Sequence, residues 1–138
     1  MHSDVEARLL QLNRAFYQRF ADSFAETRSR PRPGTMDLLS PVPESASVLD
    51  LGCGNGSLAR TLAEHDHRGR YVGVDYSTAL LAAARRTVEH PRATFVQADL
   101  AEPGWAQELA GPFDWVCLLA VLHHIPGQER RARLVAEA

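Results

Sequence analysis

The sequence predicts an α/β fold, a parallel sheet with helices on both faces. Two observations carry that prediction. From residue 47 onward, short apolar runs bounded by turn residues alternate with helical patterns. The first run ends at Leu51 and opens into a turn with Gly52, Gly54 and Gly56, which leads into a helix. Strand, helix and strand in succession imply right-handed crossovers, and hence parallel neighbours.

The chain reads as a single domain, with residues 1–43 a helical N-terminal arm and 44–138 the α/β core. Ser3 and Glu6 form a capping-box pattern at the start of the arm. Val5, Leu9, Leu12, Phe16 and Phe20 then recur at three- and four-residue spacings, which gives one apolar helix face. The segment RSRPRPG at 28–34 breaks the helix. Residues 35–39 form a short helical turn closed by Pro41 and Pro43. The first strand covers 47–51 and the first core helix 57–64. The second strand is YVGVD at 71–75, and Ser77 caps a helix over 78–89. The third strand covers 94–97. Residues 103–109 form a short helix with Pro103 in its first turn. Residues 113–122 are nearly all apolar and read as a fourth strand buried on both faces. A final helix covers 128–138, after the break at Pro126 and Gly127.

Composition narrows the function. With 45% hydrophobic and 23% charged residues over 138 positions, the chain is long and apolar enough to bury a core. No apolar run reaches the roughly 18 residues of a membrane span, and no secretory leader pattern is present. Cys53 and Cys117 form neither a disulfide framework nor a metal motif, which points to a reducing cytoplasm. The formal net charge of −2 gives no global attraction to nucleic acid. All fifteen basic residues are arginine. Arg28, Arg30 and Arg32 cluster in the arm and Arg130, Arg131 and Arg133 in the last helix, two groups that could contact phosphates.

The glycine turn VLDLGCGNGSLA, 48–59, would bring a ligand against bare main chain at the carboxyl ends of the strands. A dinucleotide fingerprint requires G-x-G-x-x-G, and here Gly56 comes one residue early. Three acids follow at successive strand ends. Asp50 would repel a pyrophosphate but attract an ammonium. Asp75 would hold ribose hydroxyls. Asp99 would accept from an adenine amino group. An amine, a ribose diol and an adenine together describe S-adenosylmethionine, with S-adenosylhomocysteine as its product. A nicotinamide-dependent oxidoreductase fits the glycine spacing less well.

VLDLGCGNG resembles the first motif of the class I S-adenosylmethionine-dependent methyltransferases, and YVGVDYS their second-strand acidic motif. FVQADL resembles their adenine-contacting segment and FDWVCLLAVLHHIP their fourth-strand motif. A narrower likeness covers the ends. Tyr17, Phe20, Ala21, Phe24, Thr27, Arg28, Pro31 and Pro33, with AVLHHIPGQERR at 120–131, are similar to the tRNA wobble-uridine carboxymethyl methyltransferases. Arg32 departs from that pattern, which has an aromatic between the two prolines.

The resemblance implies a Rossmann-like class I methyltransferase fold and assigns roles. Asp75, with Tyr76 beside it, would bind the ribose, and Asp99 and the main chain of Leu100 the adenine. Asp50, Gly52 and Gly54 would line the methionyl end, and Leu119 or Ala120 would offer a carbonyl to the amine. Tyr17 and Arg28 would close over the cofactor, with Arg28 on its carboxylate. The family sheet continues past its fourth strand with a fifth strand and a hairpin. The resemblance therefore implies that this chain is C-terminally truncated after the fourth strand and its following helix, as the cofactor-binding half of the fold.

The expected acceptor is a tRNA nucleoside or a small carboxylate or hydroxyl compound. A carboxylate is already ionised near neutral pH and needs no base, whereas a hydroxyl or amine needs one. His123 and His124 are the nearest candidates, and on a strand only one of them would face the site. No third ligand has the spacing to make them a metal site. The unpaired edge of the fourth strand is expected to be covered by the final helix, by a second copy in a homodimer, or by a partner chain. In that last case the chain is a cofactor-binding module that needs its partner for activity.

Overall fold

The computed structural model describes residues 3–21, 23 and 33–138. The arm supplies α1 (Ser3–Arg19) and a short α2 (Thr35–Leu39). The core continues as β1 (Val48–Leu51), α3 (Ser57–Glu64), β2 (Tyr71–Asp75), α4 (Thr78–Thr87), β3 (Ala93–Gln97) and β4 (Trp115–Cys117). A single 3-10 turn, Leu122–His124, precedes α5 (Gln128–Glu137). All four strands are parallel, in the order β3-β2-β1-β4. The chain moves outward from β1 through β2 to β3, then returns to the other side of β1. That reversal opens a crevice at the carboxyl ends of β1 and β4, where parallel sheets bind ligands.

Alternation along the strands divides the core into two layers. Leu49, Leu51, Val72 and Val74 face Leu10 of α1, Leu134 of α5, Leu100 and Ile125. Val48 and Tyr71 point the other way, onto Leu39, Leu58, Ala59 and Leu62 of α2 and α3. Val48, Leu51, Tyr71, Val74, Leu81 and Leu134 are fully shielded. Each contributes roughly 1.5–3 kcal/mol by leaving water. Ser77 caps α4 as expected, its hydroxyl oxygen accepting the Leu80 N–H at 3.2 Å.

Two expectations are corrected. Residues 103–109 are not a helix. They form successive turns, with the N–H of Gln107 donating to Gly104 at 3.2 Å and that of Leu109 to Ala106 at 3.1 Å. The fourth strand is three residues long rather than ten, pairing only with Val48, Leu49 and Asp50 of β1. It is not buried on both faces either: Val116 is 38% exposed on the edge of the sheet. The remaining apolar residues turn away at Ala120, which has φ 58°, and Leu118, Val121 and Leu122 pack on the core as loop.

A further finding concerns α1. The helix forms, but its apolar stripe does not dock. Val5, Leu9, Leu12, Phe16 and Phe20 are all 39–56% exposed. The docked face is mostly polar. The Asn13 amide donates to the carbonyl of His124 at 2.8 Å, and Arg130 of α5 pairs with Glu6 at 2.7 Å. Only Leu10 enters the core from this helix.

Candidate cofactor site

A cavity of about 930 Å³, counting its open mouth, lies over the carboxyl ends of the strands. Its floor is the glycine turn. Gly52 and Gly54 both take positive φ, 78° and 55°, the region that favours glycine. A side chain at Gly52 would collide with Val121, so the turn and the segment after β4 are packed backbone to side chain. A side chain at Gly54 would meet nothing within 4 Å, and the space it would fill belongs to the cavity.

The acids end up in two different places. Asp75 and Asp99 line the cavity, together with Tyr76 and Leu100. One oxygen of Asp75 accepts the N–H of Gly54 and the other that of Ser77, each at 2.9 Å. Each carboxylate oxygen can accept more than one hydrogen bond, so Asp75 retains capacity for a ligand hydroxyl. Burial pushes the Asp75 carboxyl above the usual carboxylate range, and the hydrogen bonds from Ser77, Gly54 and Tyr76 act against that shift.

Asp50 is absent from the cavity wall. It shares the side of β1 that carries Val48, under α3, and is 3% exposed. The Tyr71 hydroxyl donates to it at 2.6 Å. Burial pushes the Asp50 carboxyl up to about 7, opposed by the Tyr71 hydrogen bond and aided by the negative charge of Asp75. The strand period explains the separation, since Asp50 and Leu51 cannot face the same layer. Both thiols are also driven up by burial, Cys117 to about 11 and Cys53 well above its ordinary value, so neither is a thiolate near neutral pH.

Leu119, Ala120, Tyr17 and His124 complete the expected lining, while His123 is outside it. The two histidines sit on the 3-10 turn and not on a strand, and the turn aims only His124 at the cavity. The Tyr17 hydroxyl lies 2.6 Å from Nε2 of His124, and the two rings meet edge to face. Arg28 lies outside the described residues, as do Phe24, Thr27, Arg30, Pro31 and Arg32. In α5, Arg130 pairs with Glu6, and Arg131 and Arg133 donate to the carbonyls of Ile125 and Ala101. The basic cluster of the last helix is thus engaged within the chain.

Asn13 and Arg14 of α1 line the wall although neither was expected there. Arg14 donates to the carboxylate of Asp99, lies 3.8 Å from Glu102, and stands over the ring of Tyr76 at 5.1 Å from its centroid. It lies one helical turn before Tyr17, and that i, i+3 spacing was the available signal. Among the described residues, no group of three or more histidine, cysteine or acidic side chains could hold a metal, and no helix is long and apolar enough to cross a membrane.

Comparison with known proteins places the chain among methyltransferases. A family profile described as a methyltransferase domain matches residues 48–138. A trans-aconitate 2-methyltransferase of Variovorax paradoxus (strain S110) is 37% identical over 124 residues, 88% of this chain and 43% of that protein. A tRNA (carboxymethyluridine(34)-5-O)-methyltransferase of Xenopus tropicalis is 29% identical over 123 residues, 88% of this chain and 18% of that protein. The chain therefore spans less than half the length of these curated relatives. Among solved structures, magnesium protoporphyrin IX methyltransferase from Synechocystis PCC 6803 with bound SAH superposes with a TM-score of 0.57. It is 26% identical, covering 88% of this chain and 49% of that one.

Proposed function

Because the chain belongs to the methyltransferase-domain family, we propose that its cavity binds S-adenosylmethionine and serves methyl transfer to a carboxylate acceptor. The observation that carries this reading is the convergence of Gly52, Gly54, Asp75 and Asp99 on one cavity. These residues follow three successive strands, and each has a partner group on the cofactor. The vacant position at the Gly54 Cβ fits a ligand pressed against main chain. Asp75 would take the ribose hydroxyls, Asp99 and Leu100 the adenine, and the segment at Leu119 and Ala120 the methionyl amine. Asp50 supports the turn from beneath and has no direct role. Tyr17 holds α1 across the site, and the assignment of Arg28 to the cofactor carboxylate stays with the sequence likeness.

Bound there, the cofactor supplies a methyl group on a sulfonium, already electrophilic. What the chain must do is align the acceptor with that methyl group and exclude water. The acceptor class follows from relatives and chemistry together. Trans-aconitate and carboxymethyluridine both carry carboxyl groups. A carboxylate needs a hydrogen-bond donor to orient it and no base, and Asn13, Tyr17 and His124 put donor groups at the cavity. A small carboxylate is favoured over tRNA, because the α5 arginines already hold partners within the chain. The free thiols fit a reducing, cytoplasmic setting.

A second reading is a cofactor-binding module that acts with a partner chain. It is favoured by the open edge of β4, where Val116 is exposed. A neighbour of 26% identity and TM-score 0.56 was solved as the complex of a putative Haloferax volcanii methyltransferase with its activator Trm112.

Calorimetric titration with S-adenosylmethionine, S-adenosylhomocysteine and NAD tests the cofactor. The first two are expected to bind and NAD is not. Transfer of labelled methyl to small tricarboxylates or to undermodified tRNA then separates the acceptors. Binding without transfer to any acceptor supports the module, and binding of none of the three ligands refutes the cavity assignment.

A further inference from the structure

We propose that Arg14 is a latch on the purine end of the cavity, so that an adenine-bearing cofactor and the Arg14–Asp99 ion pair exclude one another. The inference rests on the cofactor reading above.

A purine needs a flat face to lie on and an acceptor for its amino group. Tyr76 and Asp99 are the groups at this end that provide them, and Arg14 engages both. One Asp99 oxygen accepts the N–H of Ala101 at 3.0 Å, and the other accepts from the Arg14 guanidinium; lone pairs remain on both, so what keeps a purine out is the volume of the guanidinium held on the carboxylate and over the ring. The same guanidinium covers the Tyr76 ring at 5.1 Å. It is planar and stacks on aromatic faces, so it fills a purine-shaped slot in a way that a compact ammonium would not. Glu102, at 3.8 Å, adds a second negative charge to the hold.

Release of the latch does not require release of the helix. α1 is also fixed by Asn13 and Tyr17 on His124 and by Glu6 on Arg130. Rotation of one long side chain on a docked helix is therefore enough to clear the slot. The cofactor must break an ion pair to enter, and its apparent affinity is lowered by the fraction of molecules that are latched. Salt weakens a partly exposed ion pair. Affinity is then expected to rise with ionic strength, even for a ligand of no net charge.

S-adenosylhomocysteine, a zwitterion without the sulfonium, is the probe. Its dissociation constant is measured by calorimetry at low and high sodium chloride for the wild type, Arg14→Gln and Arg14→Lys. The wild type should tighten with salt. Arg14→Gln should bind about threefold to fivefold more tightly at low salt, the range of a partly exposed ion pair, with the salt response lost. Arg14→Lys keeps the charge but not the planar stack, and should show an intermediate affinity with the salt response retained. Binding by Arg14→Gln that equals or falls below the wild type overturns the latch and leaves the cofactor reading intact. A wild-type affinity that is flat or falls with salt does the same, even where a variant fails to fold. Absence of binding by natively folded wild type and variants refutes the cofactor reading and the latch with it.

Discussion

The backbone N–H of Gly54 donates to the side chain of Asp75 at 2.9 Å, joining the turn after β1 to the end of β2. The bond fixes the glycine turn before any ligand arrives. Asp75 therefore has a structural task as well as the ribose-binding one proposed for it.

The two glycines of this turn should separate folding from binding. Gly54→Ala places a methyl group in open cavity space at a φ of 55°. Its cost to stability is about 1 kcal/mol, the left-handed penalty alone. Cofactor affinity should fall at least tenfold, because the methyl occupies ligand volume. Gly52→Ala drives the same group into Val121 at a φ of 78°, so overpacking adds to the left-handed penalty and the variant should destabilise by about 2–5 kcal/mol. Urea denaturation and calorimetry on the two variants check this. An undiminished affinity in Gly54→Ala would place the ligand elsewhere.

Asp50 should make the protein less stable as pH rises. Its folded value of about 7 lies above the unfolded value of 3.8, so between the two the folded chain holds a proton that the unfolded chain has released. That stabilisation is complete below the unfolded value and is lost as pH rises through the folded one. From pH 5 to 8 the loss is about 3 kcal/mol, taken as an order of magnitude. Asp50→Asn keeps an acceptor for the Tyr71 hydroxyl and removes the titration. The stability of the variant relative to wild type should therefore rise over this interval, measured by urea denaturation at each pH.

A second buried pair carries the opposite sign. His67 Nε2 donates to the carbonyl of Ala46 at 2.8 Å, and the N–H of Arg92 donates to His90 Nδ1 at 3.1 Å. These partners leave Nδ1 of His67 bare and the hydrogen on Nε2 of His90, which donates across 2.8 Å. The chain of bonds is complete only with both rings neutral. Burial, His67 and the nearby Arg68 all hold His90 below its ordinary value of 6.5. The unfolded chain then takes up a proton that the folded chain resists. Stability is lost as pH falls from about 6.5 toward the lower folded value. His90→Gln should flatten this acid limb in thermal melts between pH 7 and 5. An unchanged limb would mean that the ring is not held neutral.

These sites mark what the sequence made legible. β1, β2, α3 and α4 were readable because local signals agreed: apolar runs of strand length, a glycine turn, and Ser77 before an alanine-leucine helix. The segment after Trp115 was not, because apolarity reports burial and not strand pairing, and the ladder to β1 ends at Cys117. Asp50, Asp75 and Asp99 look equivalent at strand ends. One residue of phase in β1 sends Asp50 to the opposite layer from the cavity. In α1 the period gave the helix but not the face that docks. The polar side that docks finds its partners in Asp99, His124 and Arg130, all far along the chain.

The contact between Tyr17 and His124 ties the arm to the cavity wall, and its worth is measurable. Tyr17→Phe removes the hydroxyl 2.6 Å from the imidazole while keeping the edge-to-face ring contact. Asn13 and Glu6 still hold α1, so the helix stays docked and the core keeps its stability. A double-mutant cycle with His124→Ala should give a coupling of about 0.5–1.5 kcal/mol, the worth of one hydrogen bond with its packing. Amide exchange in residues 10–19 should quicken in the single variants while β1 and β2 stay protected, since the loss is confined to the arm. Zero coupling, or loss of protection throughout the sheet, would remove Tyr17 as the group that ties the arm to the site.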